Sequence, residues 1–274
     1  MSAADREARR PARWPIVLLF LIALVCAAGA GYRIRLAAKA EEDIAALREA
    51  SSLDPQIVYI SLADASGGAE APAAPPEEAA DTAQAAAIAR VQSLQEKNSE
   101  LVGWLEMAAA GVDYPVMQSP TRPSFYLDHN FAGEQSKAGL PFIDEGCDPV
   151  DGLNRIIYGH NMNNGTMFGS LKRYLDAAFF AENASFSLDT ARGRESYRMI
   201  AVYEAKIESD SFAFYTYNNI QDEDAYLEYV SNIMARSVHG SGELPRFGQK
   251  LLTLVTCIRY RPNDRLVLVA VETS

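Results

Sequence analysis

Cys257 closes an apolar run, TLVTC (residues 253–257), and Arg259, Arg261 and Arg265 follow it before a second apolar run opens at Leu266. A thiol attacks as its thiolate, and a cation beside it favours that form. The intervening RYRPND (259–264) has the Pro, Asn and Asp chemistry of a turn. Folding the chain back about Arg261 sets Cys257 opposite Arg265, where cross-strand partners stand about 5 Å apart. Nucleophilic cysteine chemistry also needs an acid–base partner, most often histidine. The chain offers three. His160 ends the strand-like RIIYGH (155–160) and opens NMNNGTMFGSL (161–171), a loop rich in Asn and Gly of the kind that displays catalytic groups. His129 in YLDHNFAG and His239 in SVHGSG equally suit loop or helix-end roles.

The cysteines admit another chemistry. Cys26 lies in an apolar stretch, and in an exported chain Cys147 and Cys257 are a candidate disulfide pair. No CxxC or HxxxH spacing pairs them as metal ligands, so a metal is not expected.

These residues need a scaffold, and its limits are set by the rest of the chain. Of 274 residues, 49% are hydrophobic and 22% charged, which is ample for one core plus appendages. The net charge of −11 argues against a nucleic-acid partner, whose phosphates call for a surplus of Lys and Arg. Arg6, Arg9, Arg10 and Arg13 precede residues 14–32, a charge-free stretch close to the ~20 residues that cross a bilayer as a helix. Basic residues stay cytoplasmic, so residues 1–13 are expected inside the cell as a basic tail, 14–32 as a signal anchor, and the remainder outside as a single-pass membrane protein. The small residues of CAAGAG also suit a cleaved signal peptide, and both readings export the remainder of the chain. Residues 33–87 are read as a stalk helix, AEEDIAALREASSL (40–53), and an Ala/Pro/Glu-rich linker (66–87) with too little apolar bulk to fold. The globular domain is then 88–274.

Within it, strand patterns recur at 112–118, 139–145, 154–161, 196–207, 249–260 and 264–272, short β-branched and aromatic runs bounded by Gly, Pro, Asn and Asp. That spacing predicts a mainly β domain, a barrel or sandwich. Helical periodicity appears at 88–107, after Gly169, and at 222–238, where Tyr226, Tyr229, Val230 and Ile233 share a face and read as core packing.

TLVTC with Arg265 beyond it, and YGHN (158–161) upstream, resemble the Cys, His and Arg signature of the sortases, cysteine transpeptidases of Gram-positive cell surfaces. VGWLEM, GVDYPVMQ, FYLDHNFAG, LPFIDE and YGHNMNNGTMFGSL are most similar to class B members, in the family's order from about residue 98 onward. The resemblance implies an eight-stranded β-barrel with N-terminal helices and a long helix before the cysteine-bearing strand. It implies Cys257 as nucleophile, His160 as acid and base, and Arg265 as oxyanion or backbone donor, with Arg259 and Arg261 as competitors for that last role. It also implies a two-step acyl transfer that needs no cofactor. The thiol cleaves a C-terminal sorting signal of an exported protein after Thr, and the acyl group passes to a peptidoglycan-precursor amine or a pilin lysine. Leu127, Val255 and Thr256 are expected to line the groove, or else to be barrel core. Val255 stands where some class B members carry serine, which leaves the sorting motif open.

Two other functions use the same residues. One is an anchored, catalytically silent envelope-binding domain with a Cys147–Cys257 disulfide. The other is an exported cysteine hydrolase.

Overall fold

The computed structural model describes residues 14–52, 76–240, 242 and 244–273. The basic tail and residues 53–75 of the expected stalk and linker lie outside the described residues.

Helix α1 (Trp14–Ser52) runs unbroken for 39 residues, about 58 Å at 1.5 Å per residue. Its segment Leu21–Ala50 contains a stretch long and apolar enough to cross a membrane. The expected span and stalk are thus one helix. Its N-terminal half leaves Leu18, Leu19, Leu21, Ile22, Leu24 and Val25 exposed, whereas Ile44, further along, is buried in the main core. A second helix, α2 (Pro76–Gln95), starts well before Ile88. The Ala/Glu-rich sequence read as linker up to residue 87 is helical from Pro76, in keeping with the helix propensity of those residues. Proline suits the first helical position, where its missing N–H costs nothing. Ala87, Val91 and Leu94 of α2 are buried.

The helix expected over 88–107 ends at Gln95, and LVGWLEM instead forms strand β1 (Leu101–Met107). Asn98 breaks the helical run: its side-chain oxygen accepts from the Glu100 N–H and its amide donates to the Phe131 carbonyl. Tertiary pairing then decides the outcome, since β1 is flanked by antiparallel β2 (Val112–Met117) and by β5 (Ser185–Thr190), a strand that the sequence pattern did not reveal.

The remaining strands are β3 (Phe142–Ile143), β4 (Asn154–Tyr158), β6 (Gly193–Lys206), β7 (His239–Gly240), β8 (Leu251–Ile258) and β9 (Arg261–Glu272). They hydrogen-bond in the order β5-β1-β2-β3-β4-β8-β9-β6, and a β5–β6 pairing closes this ring of eight, with β7 appended to β6. Closure removes the edges that an open sheet would expose. The core is built from buried residues of the barrel strands, among them Trp104, Val116, Ile156, Tyr203, Leu254 and Val269, together with the helices packed on the barrel.

Two further helices connect the strands, α3 (Ala177–Glu182) and the longer α4 (Glu223–Arg236). Asp222 caps α4 by accepting from the Ala225 N–H at 2.9 Å. Tyr226, Tyr229, Val230 and Ile233 are buried on one face of α4, as their spacing predicts.

Candidate active site

Strands β4 and β8 are neighbours and run parallel, with Tyr158 level with Val255. Their C-terminal ends therefore emerge on the same rim of the barrel. The pairing continues one step further, the Gly159 N–H donating to the Val255 carbonyl at 3.0 Å. His160 thus leaves β4 level with Cys257 near the end of β8, on strands about 4.8 Å apart. Two side chains fasten the same rim. The Thr256 hydroxyl donates to the Gly159 carbonyl at 2.7 Å, and the Asn161 amide donates to the Cys257 carbonyl at 2.8 Å. Gly159 cannot carry a side chain, because a Cβ there would stand 2.6 Å from the Phe168 ring.

Antiparallel pairing of β8 with β9 puts Cys257 directly opposite Arg265. The tight turn, however, lies at Arg259 and Tyr260 and not at the expected Pro-Asn-Asp segment. Ile258 pairs with Arg261, so one step along β8 matches four along β9, and the surplus forms a bulge. Tyr260 takes the left-handed conformation (φ 64°) that so short a turn demands. The other two arginines have partners of their own: Arg259 bonds the Asn163 side-chain oxygen, and Arg261 pairs with Glu204 at 2.7 Å and Asp264 at 3.1 Å.

Burial along β8 changes at the site. Every residue from Leu251 to Thr256 is buried, and Cys257 is exposed. Its thiol is free and forms part of the wall of an open cleft of about 460 Å³ with the loop 161–165, Lys172, Glu204 and Arg259. Among the described residues, His160 and Arg265 lie outside that wall. The His160 Nε2 lies 2.9 Å from the Leu127 carbonyl oxygen. A carbonyl only accepts, so Nε2 carries the proton and Nδ1 is the nitrogen free to exchange one.

The other candidates separate clearly. His129 stacks on Phe125 at 3.8 Å and bonds its carbonyl, and His239 bonds the Leu175 carbonyl, so both serve local structure. Cys147 is buried and free, and burial pushes its thiol up to about 12. Its sulfur accepts from the Ile156 N–H at 3.4 Å, and Ile156 pairs with Thr253. Cys257 lies four residues beyond Thr253, roughly 13 Å along the strand, well outside the ~7 Å Cα separation that a disulfide tolerates. The pairing considered from the sequence is therefore not made. Of the expected groove residues, Leu127 is 40% exposed, whereas Val255 at 1% and Thr256 at 3% present no surface to a peptide and belong to the barrel wall. The Leu127 carbonyl and the Asn161 amide are contributions that reading by side-chain type passed over, although Asn161 stands in the YGHN motif. No group of His, Cys, Asp and Glu suited to a metal occurs among the described residues.

A closed eight-stranded barrel whose adjacent strands end in a cysteine and a histidine, with an arginine across the ladder, has sortase architecture. Residues 105–273 match the family model of the sortase domain, and the chain belongs to the sortase family of cysteine transpeptidases. Within that family it is of class B. It is 31% identical over 168 residues to sortase B of Listeria monocytogenes, covering 61% of this chain and 66% of that protein. It is 27% identical over 183 residues to sortase B of Staphylococcus aureus, covering 65% and 72%. The chain thus spans about two thirds of the length of these curated relatives. A Clostridium perfringens sortase B crystal structure superposes with a TM-score of 0.60 at 28% identity, covering 67% of this chain and 99% of that one.

Proposed function

We propose that this sortase is a membrane-anchored transpeptidase that joins exported proteins, through a threonine near their C-terminus, to an amine of the cell envelope. The observation that carries this reading is Cys257, exposed at the end of a buried strand, opposed by Arg265 and level with His160.

In the first step the Cys257 sulfur, as a thiolate whose proton rests on His160 Nδ1, attacks the threonine carbonyl carbon of the sorting signal. The tetrahedral oxyanion accepts hydrogen bonds from the Arg265 guanidinium, a planar, permanently charged fork of donors. The C–N bond breaks as His160 gives a proton to the departing amine, leaving a thioester. In the second step an incoming amine attacks the thioester, His160 takes its proton, and the thiolate leaves as the new amide forms. No electrons are exchanged, and no cofactor enters the balance. The amine is that of a peptidoglycan precursor or of a pilin lysine. The apolar N-terminal half of α1 lies in the membrane with the N-terminus inside, so the catalytic domain works on the outer face.

The test is product analysis of a threonine-containing sorting peptide with and without an added amine nucleophile. A ligated product that grows with amine concentration is the expected outcome. Hydrolysis alone, unchanged by amine, would identify a hydrolase instead.

A further inference from the structure

As a solvated stalk, α1 would have no part in the core or the chemistry, yet it is fastened to the loop after His160. Ile44 is buried, and Ala40, Ile44 and Arg48 of α1 face Tyr114, Met162 and Met167. Arg48 makes an ion pair with Asp113 (Nε to Oδ2 2.6 Å) and also donates to the Asp113 carbonyl at 2.8 Å. Its guanidinium carbon lies 5.6 Å from the centre of the Tyr114 ring.

Contacts continue from there to the backbone of Cys257. The Tyr114 hydroxyl accepts from the Met167 N–H at 3.2 Å. Met167 holds a left-handed conformation (φ 53°) that is unfavourable for a residue with a side chain, and it is buried. It forms a bridge with Asn161, whose amide holds the Cys257 carbonyl, and the neighbouring Phe168 N–H donates to the His160 carbonyl at 2.9 Å. A strained backbone persists only where its surroundings over-determine it. Here α1 supplies part of those surroundings, as a lid over Tyr114 and Met167.

We propose that Arg48 and Ile44 are positioning residues for the active-site loop 161–168, so that the C-terminal half of α1 is a wall of the catalytic unit and not a passive tether. The proposal rests on the transpeptidase reading for its effect on turnover, but not for its effect on the loop. A loop braced in this way spends less time in conformations that displace His160 and Asn161 from Cys257, and misplacement of this kind is costly to turnover.

The experiment uses the full chain in lipid nanodiscs. Arg48→Ala and Ile44→Ala are expected to speed amide hydrogen exchange at Met167 and Phe168 by about tenfold or more, as local opening becomes easier. On a threonine-containing sorting peptide, kcat should fall about three- to tenfold with KM held within about twofold, because geometry rather than binding is lost. Arg48→Lys, which keeps an ion pair with Asp113, should retain most of the protection. Lys39→Ala, at an ion pair whose two side chains are each 60% exposed, should change neither quantity. Unchanged exchange at Met167 and Phe168 in both α1 variants would overturn the proposal. Exchange rising equally across the barrel strands would overturn it too, since that marks general destabilisation. If the unaltered chain turned over no sorting peptide, the proposed function would fail, and the exchange measurement would still judge the bracing.

Discussion

Cys257 and Arg265 are directly opposed in the β8–β9 ladder, although the hairpin joining them turns at Arg259 and Tyr260 and carries its surplus residues in a bulge on β9. The bulge has a chemical consequence. It sets Arg261 against Glu204 and Asp264, and Arg265 opposite Cys257 in the ladder with its guanidinium donating to the Asp264 carbonyl at 3.1 Å.

Arg265→Ala is therefore expected to lower kcat/KM by the roughly 10² to 10³ that the loss of an oxyanion donor costs. Arg265→Lys should recover little, since an ammonium lacks the planar fork. Arg259→Ala and Arg261→Ala should cost much less, because each removes a contact to a surface partner. Steady-state kinetics on the three alanine variants ranks them, and a larger loss in Arg261→Ala than in Arg265→Ala would assign the donor to the wrong arginine.

His160 is held by its Nε2 proton on the Leu127 carbonyl, which leaves Nδ1 for the proton exchange of the proposed mechanism. His160→Ala should lose about 10² to 10⁴ in kcat/KM, the usual contribution of general acid–base catalysis. His160→Gln sharpens the test, since its amide can still donate to Leu127 but carries no exchangeable base. It should melt like the unaltered protein and be as inactive as the alanine variant. Substantial turnover by the glutamine variant would assign the proton transfer to another group.

Gly159 separates β4 from His160, and its place under the Phe168 ring has no room for a methyl group. Gly159→Ala should destabilise the fold by about 1–3 kcal/mol, the range for overpacking a filled site. It should also impair turnover, because relief of the clash moves either His160 or the loop beyond it. Thermal unfolding checks the first effect, and an unchanged melting temperature would contradict this packing.

Much of this site was legible from residue types and spacing. The apolar run of β8, the turn-forming residues after it and the reflection about Arg261 led to the Cys257–Arg265 pairing, although the turn stands at Arg259 and Tyr260 and the bulge on β9 makes up the three-residue difference. The bulge was not legible, since a ladder that gains residues on one strand leaves no mark in hydrophobic alternation. β1 was misread as helix because the residues of LVGWLEM also fit a helical face, and only its pairing with β2 and β5 resolves the ambiguity. Val255 and Thr256 were ambiguous for a related reason. Strand residues next to a candidate nucleophile suit a groove lining and a barrel wall equally, and only their burial, with the Thr256 hydroxyl spent on Gly159, decides for the wall. The docking of α1 could not be read at all, because Ile44, Leu47 and Arg48 are equally at home on a solvated stalk.

The two cysteines of the catalytic domain are predicted to behave oppositely. Cys257 is exposed, whereas Cys147 is buried beside Ile156, where desolvation raises its thiol from 9.0 to about 12. Iodoacetamide at about pH 8 should therefore label Cys257 and spare Cys147 until the protein is unfolded, as peptide mapping by mass spectrometry will show. The raised thiol also fixes a sign. Between about pH 9 and 12 the unfolded chain releases the Cys147 proton while the folded chain keeps it, so this group's contribution to stability is complete below pH 9 and is lost as pH rises toward 12. Cys147→Ala should accordingly show a shallower alkaline loss of stability than the unaltered protein, with turnover nearly unchanged. Cys257→Ala should melt normally, give no thioester adduct by mass spectrometry with a sorting peptide, and have no transpeptidase activity. Retained turnover in Cys257→Ala together with its loss in Cys147→Ala would remove the nucleophile from β8 and, with it, the proposed mechanism.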